Sequence, residues 1–87
     1  MYRSERITEY ASDVASMYRI AADIQSSHER IETSQSRLDK GGLSEAHTEY
    51  VKGFIQDEAQ YAQKTYNEAV EMYGDKFKSV LAHAMTL

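Results

Sequence analysis

The sequence has no cysteine, no proline and no tryptophan, and each absence removes a class of structure. Without cysteine there is neither a disulfide framework nor a thiolate metal site, so stability has to come from packing. Without proline, no residue breaks a helix for want of an amide hydrogen. No apolar run approaches the roughly 18 residues of a membrane span, and Met1 to Arg6 lacks the apolar core of a signal peptide. The expectation is a cytoplasmic protein that does not enter a membrane. Basic residues are also scarce: 10 Lys and Arg face 14 Asp and Glu, giving a net charge of -4 and a pI near 5.3. That balance argues against a nucleic-acid surface, which shows as a basic stripe or patch.

What is present is a seven-residue apolar repeat. Ile7, Tyr10, Val14, Met17, Ala21, Ile24, His28, Ile31, Gln35 and Leu38 follow one another at alternating steps of three and four until Gly41-Gly42. This period marks a helix lying along a partner helix. Ser4 reads as its N-cap, with Glu5 and Glu9 near the positive end of the dipole; Arg30, Arg37 and Lys40 sit towards its other end. The glycines supply the positive φ that closes it. Ser44 reads as a second N-cap, with Glu45 and Glu49 following. The pattern predicts an all-α fold, a single domain over 1–87 made of a long antiparallel hairpin with helices over about 4–39 and 44–85. A break at Gly74-Asp75 would add a short third helix, and dimerisation would give a helical bundle.

A turn centred between Gly41 and Gly42 makes the numbers of facing residues sum to about 83. Ala21 then meets Ala62, Ile24 meets Ala59, His28 meets Ile55 and Ile7 falls near Phe77. The face of the second helix used this way is Val51, Ile55, Ala59, Ala62, Tyr66, Ala69, Tyr73, Phe77, Val80 and Ala84. His28 and Gln35 are the polar members of the seam and are expected to set register or partner number.

A second stripe remains. Leu43, Tyr50, Phe54, Glu58, Tyr61 and Met72 gather on another face of the second helix, with His47 and Thr65 between them. Large side chains in an exposed line mark an interface, and Tyr and Met give contact area that tolerates an imperfect fit. Residues 45 to 75 hold seven acidic side chains against Lys52 and Lys64, which favours a partner with a basic surface. On the first helix Glu5, Glu9 and Asp13 form an acidic row at spacing four. The first two compensate the dipole, and Asp13 is a candidate electrostatic contact for a partner.

The residue types that carry chemistry are poorly placed for it. None of His28, His47 and His83 has an acidic residue three positions before it, so the Glu-x-x-His pattern of diiron bundles is missing and no metal is expected. Ser27-His28-Glu29 and Glu45-Ala46-His47 are adjacent on a helix and point in different directions. Gly41-Gly42 has no phosphate-loop lysine spacing. These readings predict no catalytic residue, no cofactor and no enzyme.

The function expected is protein-protein binding by a small acidic helical homodimer, of the kind inhibitors, immunity proteins and defence-evasion proteins use. In overall shape the chain resembles the WXG100 family, which has about 90 residues in two antiparallel helices. The resemblance covers architecture: the turn here is Lys40-Gly41-Gly42-Leu43, and no tyrosine starts a Tyr-x-x-x-Asp/Glu tail. It implies a secreted or secretion-adaptor hairpin exported without a signal peptide. A third expectation is a helical oligomer that stacks a small ligand on Tyr61 or Tyr66.

Overall fold

The computed structural model describes residues 2–86, with side chains from Asp13 onwards. Three helices follow one another: α1 (Tyr2–Lys40), α2 (Glu45–Tyr73) and α3 (Asp75–Met85). The all-α hairpin is thus the architecture, and its length is 62 Å. The first helix starts before Ser4, which lies inside it and is not its cap. Its far end closes as the glycines dictate, with Gly41 at φ 71° and Gly42 at φ 81°. Ser44 caps α2: its backbone is extended and its Oγ accepts the His47 amide hydrogen at 3.1 Å. That bond satisfies one of the amides a helix start leaves without a partner.

At Gly74 the chain turns sharply. Its φ of 67° and ψ of -144° lie in a region that is nearly glycine's alone. The Gly74 amide still donates to the Val70 carbonyl at 2.7 Å, and its own carbonyl accepts from Phe77 at 3.1 Å, so one residue ends α2 and opens α3. The second helix therefore does not continue to residue 85, and Phe77, Val80 and Ala84 do not extend its seam towards Ile7. Instead α3 folds back beside the hairpin. The first dozen residues, Met1 to Ser12, offer few aliphatic partners, whereas the middle of the hairpin offers many.

Phe77 is wholly buried there with Met17, Ala21, Ile24 and Ala69. Removing a phenyl side chain from water contributes roughly 1.5–3 kcal/mol, enough to direct an eleven-residue helix. The Tyr66 ring lies 6.1 Å from it at 58°. Further along α3, the Tyr18 hydroxyl and His83 Nδ1 are 2.8 Å apart, and Leu81 and Met85 border Ile24, Ile31 and Ala62. Ala21, Ala62 and Ala69 are buried, and their small side chains let three helices approach closely. No described helix is long and apolar enough to cross a membrane.

Two seam expectations need correction. His28 and Gln35 are both exposed, and Gln35 donates to Asp39 Oδ1 at 3.1 Å along its own helix. His28 opens onto the recess bordered by Leu81 and Met85 of α3 without being covered, and Gln35 lies further towards the Gly41-Gly42 turn. In that stretch the apolar Val51 is the buried residue, while the polar side chains of His28 and Gln35 keep their water and avoid a desolvation cost. Neither residue is a buried register-setter.

Candidate interaction surface

The third helix covers one side of the hairpin and leaves the other open. At 100° per residue, Ile20, Asp23, Ser27 and Arg30 of α1 turn to the side away from α3, as do Phe54, Glu58, Tyr61, Thr65 and Met72 of α2. The stripe from Leu43 to Met72 therefore borders an open groove between two helices. Tyr50 is 72% exposed, Met72 71% and Tyr61 47%, while Leu43 and Phe54 are half-buried. At one end of the row the His47 ring stands edge-on to Tyr50 at 6.4 Å.

Two polar bridges cross the groove. Arg30 donates from Nε to Glu58 Oε1 at 2.9 Å and from Nη2 to Oε2 at 3.2 Å, a two-pronged pair of the geometry guanidinium favours. Its Nη2 also reaches the buried Ser27 Oγ at 3.3 Å. The Glu58 side chain is only 16% exposed. The Arg30 hydrogen bond holds its carboxyl below the usual glutamate range, against partial desolvation, and Ser27 adds to the lowering. The same bond raises Arg30. Three residues further along α2, the Tyr61 hydroxyl donates to Asp23 Oδ2, seven residues before Arg30 on α1. That hydrogen bond and the carboxylate charge push the phenol above its ordinary value.

Around these bridges the surface is hollowed. A recess of about 370 Å³ lies between Asp23, Arg30, Phe54, Asp57, Glu58 and Tyr61. A second, of about 330 Å³, lies between Ile20, Tyr61, Thr65, Ala69 and Met72. Four of the six side chains around the first are charged, and Lys64 and Glu68 join the apolar lining of the second; both are open, a shape that suits side chains of another helix better than an enclosed small molecule.

The predicted row is thus brought together on one face, with one change of role. Glu58 is tied to Arg30 within the chain and serves as part of the groove wall. Asp13 is exposed, near the other end of α1 from the turn. Glu5 and Glu9 lie outside the residues whose side chains are described. Asp23, Ser27 and Arg30 were not anticipated, although a signal for them exists: Asp23 and Arg30 are seven apart, and Asp23 and Tyr61 match the sequence-derived facing register to within one residue. Tyr18 bonds to His83 and His47 packs on Tyr50, so these histidines serve separate contacts. Among the described residues no three His, Asp or Glu side chains gather as metal ligands would. No family model, curated protein or solved structure matches the chain.

Proposed function

We propose that the protein acts by binding another protein chain through the open α1/α2 face, as a small inhibitor or immunity protein does. One observation carries this reading: Tyr50, Tyr61 and Met72 stand exposed in a line on the side that α3 leaves uncovered. A chain with an eleven-residue helix to spare for covering its hairpin buries Phe77 on one side and leaves this row in water. Such a face loses free energy in isolation and regains it on docking, at about 25 cal/mol for each Å² of apolar surface covered. The acidic excess of α2 adds a preference for a partner with basic side chains at matching positions.

The test is a pair of substitutions, Tyr50→Glu and Met72→Glu, at exposed positions where the fold should tolerate a charge. Circular dichroism and melting should change little, while association with the partner chain and the biological effect of the protein are lost. Full retention of both by the double variant would refute the assignment of this face.

A further inference from the structure

We infer that α3 has two seats on this molecule: the observed one against Met17, Ala21, Ile24 and Ala69, and a second alongside the first ten residues of α1, reached by a change at Gly74 alone. In the second, α2 and α3 form one rod. The fold-back is then a latch over the apolar seat that α3 leaves, on the side of the hairpin away from the exposed row, and the inference stands apart from the reading of that row.

Length supports the second seat. The 39 residues of α1 and the 29 of α2 meet at the same Gly41-Gly42 turn, so α1 runs ten residues past the end of α2. The eleven residues of α3 turn back at Gly74 and lie beside the hairpin instead. Straightened, they match that overhang in length. The facing register of the sequence keeps Tyr73 level with Tyr10 and brings Phe77 level with Ile7. Apolar phase agrees as well. A turn sets no phase between the helices it joins, yet Tyr66, Ala69, Tyr73, Phe77, Val80 and Ala84 follow one another at steps of three and four through Gly74. The face that α3 packs on the core, with Phe77, Val80 and Ala84, is therefore the one a continuous rod turns towards α1.

The backbone has little to change between the two. Gly74 already donates to the Val70 carbonyl at 2.7 Å, the bond a continuous helix makes there. Only its φ of 67° and ψ of -144° depart from a helix, and hinges concentrate their change in a few such residues. No side chain caps the start of α3, so the first amides of that helix lack a partner of this kind. In the rod, Asp75 and Lys76 donate to the Glu71 and Met72 carbonyls, and Phe77 exchanges the Gly74 carbonyl for that of Tyr73. Against these gains the rod gives up the burial of Phe77 beside Ile24, and the overhang offers fewer aliphatic side chains. The folded-back arrangement is therefore the one that prevails.

Because the sequence has no cysteine, Gln60→Cys with Ala82→Cys gives two label sites at exposed positions of α2 and α3. Folded back, the labels lie within about 20 Å, two helix diameters; in the rod they are 22 residues apart on one helix, roughly 33 Å. Spin-label distances in the full chain should show the short separation as the main one. Gly74→Ala should raise the ratio of long to short at least about tenfold, from the strain it puts on the turn and the helix it favours, and adding Ile7→Glu should remove the gain. Helix content should hold throughout. Absence of a narrow long separation in Gly74→Ala overturns the second seat, as does a broad one with lost helix content, which marks a released and unfolded α3. A long separation indifferent to Ile7→Glu overturns it too, because the rod then forms without resting on α1.

Discussion

Tyr61 on α2 gives its phenolic hydrogen to Asp23 on α1, across the face that no third helix covers. The bond ties two helices together where packing is thinnest, and it fixes the ring against Ile20 and Thr65 as one wall of a recess. Tyr61→Phe keeps the ring and removes the tie. The expected result is a small fall in melting temperature and unchanged helicity. The alkaline limb of stability should change as well. The folded phenol lies above its ordinary value, so its contribution is complete below the ordinary phenol range and is lost as pH climbs through the folded value. A urea titration at neutral and alkaline pH should find that Tyr61→Phe narrows the difference between the two.

Glu58 predicts the opposite pH limb. Its carboxyl titrates below the usual range in the folded chain, chiefly because Arg30 bonds the ionised form. Stability from this pair is therefore present above the unfolded value of about 4.3 and disappears as pH falls through the folded one. Glu58→Gln should lower stability at neutral pH and flatten the loss expected of wild type as pH falls below the ordinary glutamate range, to be measured by denaturant midpoints at neutral and acid pH.

Phe77 is the anchor of α3, and Phe77→Ala should cost about 3–5 kcal/mol, the range for truncating a buried phenylalanine. Loss of this size in a small domain would appear as a large drop in urea midpoint. Hydrogen exchange should show α3 opening first, with amides from Asp75 to Met85 losing protection before those of α1 near Ala21.

Much of this fold is written in local sequence. Ser44 caps and Gly41-Gly42 turns because each satisfies a backbone demand that residue type alone reveals. The exposed row was legible because Tyr50, Tyr61 and Met72 are too large to overlook on a face the seam does not use. The direction of α3 was not, since it depends on the ψ of a single glycine, which no side chain records, and on Phe77 finding a better site at Met17 and Ile24 than near Ile7. Arg30 and Asp23 escaped because a charged residue on a helix face looks solvated until the register places Glu58 and Tyr61 opposite. His28 and Gln35 matched the seven-residue period yet stay exposed. Periodicity gives the direction a side chain faces, and burial further needs neighbours that close over it, which apolar Val51 has and polar His28 and Gln35 do not.

Gly74 offers the sharpest test of how the fold is directed. A Cβ built there meets nothing within 4 Å, so Gly74→Ala encounters no steric obstacle from neighbouring side chains. Its whole cost is the backbone conformation, φ 67° with ψ -144°, which an alanine occupies at roughly 1–3 kcal/mol. Alanine is at the same time the best helix former, and no proline follows to stop a helix running through from Tyr73 to Asp75. The substitution therefore penalises the reversal and favours a continuous rod from Glu45 to Met85. Opposing it are the burial of Phe77, worth about 1.5–3 kcal/mol, and the packing of Val80, Leu81 and Ala84 on the same core, so the strain moves the population towards the rod by as much as it offsets these contacts. Small-angle scattering should then report a radius of gyration above the native 17.4 Å, with helix content maintained or increased and Phe77 newly accessible to solvent. An unchanged radius and a mere loss of stability would show that the contacts of α3 outweigh the strain at its hinge.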